Sequence, residues 1–135
     1  MLKRLIAWLT GDAAGTGSSN PRTRLGAHGE RIAARHLRRS GYRIVSRNFR
    51  AAGAEIDLVA MDGETLVFVE VKTRLGAAAG APQEAVDQRK QAHLRRAASI
   101  FADRNRAQSR PIRFDVVAIA GAGSNRRVEI LKDAF

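Results

Sequence analysis

The chain is 135 residues long, with 24 Lys plus Arg against 13 Asp plus Glu, a formal net charge of +11, and no cysteine. That length fits a single domain with a core of useful size. The lack of cysteine excludes a disulfide framework and a thiolate zinc site, which fits a reducing, cytoplasmic setting. The charge points to a polyanionic partner, nucleic acid first, although an Arg- and Ala-rich composition also arises from GC-rich coding.

At the N-terminus, Leu2, Leu5, Ile6 and Leu9 share a helical face, but the apolar stretch from Leu5 to Leu9 is too short for a signal peptide. A Gly/Ser-rich stretch follows, ending at Pro21. Residues 1–21 are therefore expected to form an arm and flexible linker, and residues 22–135 the domain. No segment approaches the length of an integral membrane span. Residues 24–39 read as a helix, with Leu25, Ile32, Ala33 and Leu37 near helical spacing and Ser40-Gly41 as the stop. Gly26 and Gly29 weaken that pattern, and imply either a late helix start or a face approached closely by another backbone or a phosphate.

Strands are expected at 42–49, 55–61 and 65–73, forming an antiparallel meander. A Gly/Ala loop spans 75–81, and Pro82 is placed to open a helix running to about residue 103. Its inner face carries Val86, Lys90, His93, Leu94, Ala97 and Phe101, leaving Arg89, Arg95, Arg96 and Arg104 outside. Residues 112–119 form a nearly continuous apolar strand, expected at the centre of the sheet, and 127–131 a weaker last one. The order α-β-β-β-α-β-β describes an α/β fold, a mixed sheet flanked by helices.

The most informative segment is the hairpin around Asp62-Gly63. Taking Asp-Gly as a two-residue loop pairs Met61 with Glu64, Val59 with Leu66, Asp57 with Phe68 and Glu55 with Glu70. One face then carries Glu55, Asp57, Val59, Leu66, Phe68, Glu70 and Lys72, because side chains alternate with a period of two. Asp57 and Glu70 become diagonal neighbours with Cα atoms roughly 7–8 Å apart. Charged groups in apolar β-sequence are costly to bury unless paired or bound to a metal, and a hard cation such as Mg²⁺ takes converging carboxylate oxygens. A one-residue slip would send Asp57 to the other face.

These residues have ordinary readings too. Glu70 and Lys72 make a same-face ion pair by themselves, Glu55 has Arg47 or Arg50 as partners, and Glu30 is unremarkable on a helix surface. Lys90 either contacts a phosphate or snorkels along the helix edge. His28, His36 and His93 are expected in the surface or core rather than as ligands. Asp115 is expected to be buried against an arginine. Basic residues cluster at Arg38-Arg39, Arg89-Lys90 and Arg95-Arg96, the pattern of phosphate contacts.

Gly29-Glu30 on the first helix, Glu55-Ile56-Asp57-Leu58, Val69-Glu70-Val71-Lys72, and the downstream Glu84-Ala85-Val86 with Lys90 resemble the YraN-like family of predicted endonucleases. The resemblance covers about residues 24–135, including the terminal Asp133-Ala134-Phe135, and leaves out residues 1–21. It departs from the family at one place: Gly53 stands one position early, with Ala54 directly before Glu55. The family is akin to archaeal Holliday junction resolvases, which implies a restriction-endonuclease-like αβββαβ core and Mg²⁺- or Mn²⁺-dependent cleavage of DNA, branched or structured DNA included. It further implies Asp57, Glu70, Glu30 and the Val71 carbonyl as metal ligands, and Lys72 beside the attacking water. Arg38, Arg39, Arg74, Arg89, Lys90, Arg95 and Arg96 become the nucleic-acid contacts. Relatives that cut four-way junctions work as dimers, so a homodimer is among the expected assemblies, and a non-catalytic nucleic-acid-binding module is the alternative function.

Overall fold

The computed structural model describes residues 21–74 and 87–135. The expected arm, the 75–81 loop, the helix start at Pro82 and the Glu84-Ala85-Val86 motif all lie outside the described residues. The elements are α1 (Pro21–Arg39), β1 (Arg43–Ala51), β2 (Ala54–Asp62), β3 (Thr65–Arg74), α2 (Gln88–Arg104), β4 (Ile112–Ala120) and β5 (Arg127–Leu131). The sheet order is β1-β2-β3-β4-β5, with β3 and β4 parallel and the other neighbours antiparallel. The parallel pair needs a long crossover, and α2 lies within it. This is the α/β, restriction-endonuclease-like αβββαβ core, a mixed sheet flanked by helices. Among the described residues, no helix is long and apolar enough to cross a membrane.

Alternation along β3 builds both layers. Leu66 and Phe68 pack with Leu94, Ala97, Ala98 and Phe101 of α2, while Val67 and Val69 pack with Ala33, Ala34 and Leu37 of α1. Alanines at the contact points let each helix lie close to the sheet. Phe101 meets Phe49 and Phe68 edge to face, with centroids 5.0 and 5.8 Å apart, a preferred aromatic arrangement.

Four expectations change. α1 starts at Pro21 rather than at residue 24, and α2 starts at Gln88, because the Asp87 carboxylate caps it by accepting from the Lys90 N–H at 2.8 Å. β4 is interior but not central, since β3 holds the middle and β5 covers its other side. The hairpin register also differs: Asp62 pairs with Thr65, Met61 with Leu66 and Val59 with Phe68. The loop residues are thus Gly63 and Glu64, and Gly63 takes a φ of 59°, as a turn with glycine in its first central position requires. Asp62 stays in the strand, where Arg113 Nη2 donates to it at 2.9 Å. The displacement is two residues, so from Leu58 to Asp62 the side chains keep the expected alternation.

The helix glycines divide. Space around Gly26 is open, whereas a Cβ on Gly29 would lie 2.5 Å from Thr73 Oγ1, so Gly29 marks a close approach of α1 to β3. Gly29→Ala is expected to push α1 off the sheet and lower stability by about 1–3 kcal/mol. Thr73→Ala removes the clashing oxygen and leaves the Thr73 Cβ at an ordinary 3.8 Å. Thermal melts of the double variant should therefore recover most of the loss, and additive losses would show that the contact is not the cause.

Candidate active site

The site begins where the β2–β3 ladder ends. Pairing runs from Asp62 with Thr65 to Leu58 with Val69 and stops there. Its continuation sets Asp57 opposite Glu70, not diagonal to it. Instead of a backbone bond, the Val71 N–H donates to Asp57 Oδ2 at 2.8 Å. The strand also turns over at this point: Leu58 and Ala60 pack in the α1 layer, whereas Ile56 packs in the α2 layer. Asp57 is the residue at the switch, in a gap between strands that both helical layers can reach.

Glu30 comes from α1, one residue after the close approach at Gly29. Glu55 comes from the start of β2, exposed and ion-paired to Arg50 at 3.3 Å. Ligand oxygens of Glu30, Glu55 and Asp57 all lie within 4.8 Å of one another. Burial pushes the Asp57 carboxyl up to about 8, with the Glu70, Glu30 and Glu55 charges adding to it and the Val71 hydrogen bond opposing. Glu30 is also raised, chiefly by burial, and a hydrogen bond from Asn48 pulls the other way. Asn48 is a non-glycine residue at a φ of 53° on β1, a rare backbone state that aims its side chain at the cluster.

Glu70 is only 6% exposed, and two ammonium groups meet its Oε1: Lys90 Nζ at 2.5 Å and Lys72 Nζ at 3.3 Å. Burial and the adjacent Lys90 hold Lys72 below the usual lysine value. Burial also works against the charge on Lys90, but its hydrogen bond and attraction to Glu70, with Lys72 and Asp57 adding to them, together outweigh this and raise it. A cleft of about 350 Å³ opens over these groups, with Glu55, Asp57, Glu70, Lys90, His93 and Leu94 on its walls.

The sequence-derived residues therefore separate. Glu30, Asp57, Glu70, Lys72 and Lys90 are brought together. Val71 joins them through its N–H. Arg38 and Arg39 are exposed at the far end of α1, about 12 Å along the helix axis from Glu30. Arg89, Arg95 and Arg96 are exposed on α2, on the opposite side of the sheet, so the two clusters do not form one surface. Arg95 sits over the rings of Phe114 and Phe135, at 4.9 and 5.8 Å. The Arg74 side chain lies outside the described residues. Sequence reasoning missed two residues, His93 on the cleft wall and Asn48 beside Glu30. His93 was assigned to surface or core, although its i, i+3 spacing from Lys90 places it on the same helix flank. Asn48 has no signal in the pattern.

The family model of the uncharacterised protein family UPF0102 matches residues 29–119, a span that contains the whole cluster. A UPF0102 protein of Symbiobacterium thermophilum is 48% identical over 113 residues, covering 83% of this chain and 96% of the relative. One of Beutenbergia cavernae is 51% identical over 112 residues, with 80% and 92% covered. One of Geobacter sulfurreducens is 47% identical over 112 residues, with 82% and 88% covered.

Proposed function

The chain belongs to UPF0102, the YraN-like family, and we propose that it is a divalent-metal-dependent endonuclease acting on DNA, branched or structured DNA in particular. The observation that carries this reading is Asp57, a carboxyl inserted between strands among Glu30, Glu55 and Glu70 and held up at about 8. Carboxylates crowded in this way oppose folding unless a cation compensates them. All are oxygen donors, which suits Mg²⁺ or Mn²⁺. Glu30, Glu55 and Asp57 would hold such an ion, with Glu70 and the Val71 carbonyl completing the set that the family resemblance implies. A bound ion of this kind lowers the pKa of its water and neutralises charge on a phosphoryl oxygen. Lys72, ion-paired to Glu70, orients the attacking water and stabilises negative charge growing on the phosphate. Exposed Arg47 and Arg50 on β1, with Arg89 and Arg96 on α2, hold flanking phosphates. A homodimer and a cytoplasmic setting accompany the proposal, from the resemblance and the cysteine-free composition.

One observation favours the alternative of a non-catalytic nucleic-acid-binding module: Glu70 Oε1 is already satisfied by two lysines. The test is incubation with single-stranded, duplex, flap and four-way junction DNA, with Mg²⁺, Mn²⁺ or chelator. Metal-dependent cleavage of at least one substrate is expected. Tight binding without cleavage of any of them selects the module. In either case DNA affinity should fall steeply with salt, with a log–log slope near 0.9 per phosphate contacted on duplex. A flat salt response would point to a small acidic partner instead.

A further inference from the structure

Two positive groups share one oxygen of Glu70, while the three carboxylates that converge within 4.8 Å do so without it. We propose that Lys90 is a gate on the site. It keeps Glu70 out of the metal-ligand set until a divalent cation is bound, and once released it becomes a phosphate-binding cation, so that metal and DNA bind cooperatively. The gate rests on the metal-dependent reading given above.

Glu70 cannot offer Oε1 to a cation while two ammonium groups occupy it, because the repulsion at such distances is large in a partly buried site. One of them must leave, and the geometry selects Lys90. Lys72 stands two residues along β3 from Glu70, so the strand period holds it on the same face. Lys90 reaches across the cleft from the first turn of α2, on a stem with four rotatable carbons. Its side chain is 38% exposed, against 22% for Lys72, so it has water to move into. The cleft it borders is about 350 Å³, room for a phosphate group beside the carboxylates. Released there, the Lys90 ammonium exchanges a carboxylate partner for a phosphate one. By linkage, whatever metal does for DNA affinity, DNA does for metal affinity.

The experiment is a Mn²⁺ titration of the full chain without DNA, read by the free-ion electron paramagnetic resonance signal, on the parent, Lys90→Met and Lys90→Arg. Lys90→Met is expected to bind Mn²⁺ about 5–20-fold more tightly than the parent, within the usual range of coupling between two sites. Lys90→Arg, which keeps the ion pair, should stay near the parent. DNA binding with and without Ca²⁺ is the second readout: the gain on adding Ca²⁺ should shrink by about threefold or more in Lys90→Met. Equal or weaker Mn²⁺ binding by Lys90→Met overturns the gate and leaves the metal-dependent reading standing. Failure of both parent and Lys90→Met to bind Mn²⁺ overturns the two together.

Discussion

Asp57→Asn, Glu70→Gln and Lys72→Ala are each expected to reduce metal-dependent DNA cleavage by about a hundredfold or more, the scale of losing one preorganised electrostatic group at a reacting centre. The first two remove a ligand charge while keeping shape. Asn at position 57 still offers an oxygen to the Val71 N–H, which Asp57 accepts at 2.8 Å, so the gap between β2 and β3 should survive. Lys72→Ala removes the ammonium on the Glu70 face. DNA binding in chelator should move differently. Without a cation the carboxylates repel phosphate, so the Asn and Gln variants are expected to bind as well as the parent or better, and Lys72→Ala slightly worse. Parent-level cleavage by all three variants would place the activity elsewhere, in a contaminant or in another part of the chain.

Much of this was legible, for a physical reason that differs from element to element. Strand 127–131 was read with its observed ends, and the other strands with ends within about two residues, because apolar alternation and Gly/Asp turns are local signals. Asp57 and Glu70, expected as diagonal neighbours, stay adjacent despite the error in the turn only because the slip is even. What misled was a dipeptide rule: Asp-Gly favours the loop, but Asp62 has a partner, Arg113, 51 residues away, and remote partners leave no local trace. The same holds inside the site. Asp57 lies at the switch between faces, and nothing in Glu55-Ile56-Asp57-Leu58 announces that the ladder opens there, since a strand separates where the packing above and below it diverges. For Lys90 the sequence leaves phosphate contact and snorkelling open, because its partner, Glu70, stands on another element. Gly29 reads as a late helix start or a close approach by a backbone or phosphate; the approach exists, but the Thr73 side chain makes it. The expectation for Asp115 held, with Arg113 two residues earlier on the same strand as the arginine.

Asp115→Ala is expected to cost about 3–5 kcal/mol, the usual penalty for breaking a buried charge pair from one side. Asp115 is fully buried. It accepts from Arg113 Nε at 2.8 Å, Arg113 Nη2 at 2.9 Å, the Tyr42 hydroxyl at 3.1 Å and the Asp133 N–H at 3.0 Å. Alanine removes the acceptor of the Tyr42 hydroxyl and the Asp133 N–H, leaves Arg113 with Asp62 as its carboxylate partner, and loosens the C-terminal segment, which sets Phe135 against Phe114 with centroids 5.0 Å apart. A domain of this size has about 5–15 kcal/mol to lose, so the melting temperature should fall by on the order of 10 °C or more. Asparagine gives the sharper comparison. Asp115→Asn loses the charge that faces a guanidinium and is expected to destabilise by about 1–3 kcal/mol. Asp57→Asn, the same chemical change, should stabilise the metal-free protein by about 1–2 kcal/mol at pH 8–9, because burial first and the neighbouring carboxylates second oppose the Asp57 charge. The pH dependence follows from its sign. The folded-state value of about 8 lies above the model value of 3.8, so the parent loses stability as pH rises between those two values. Asn cannot ionise, and its advantage should widen over that window and then level off. Thermal melts in chelator from pH 5 to 9 read both effects. Shifts of the same sign for the two Asn variants would mean that Asp57 is a structural acid like Asp115, with a cation of the protein itself as its partner.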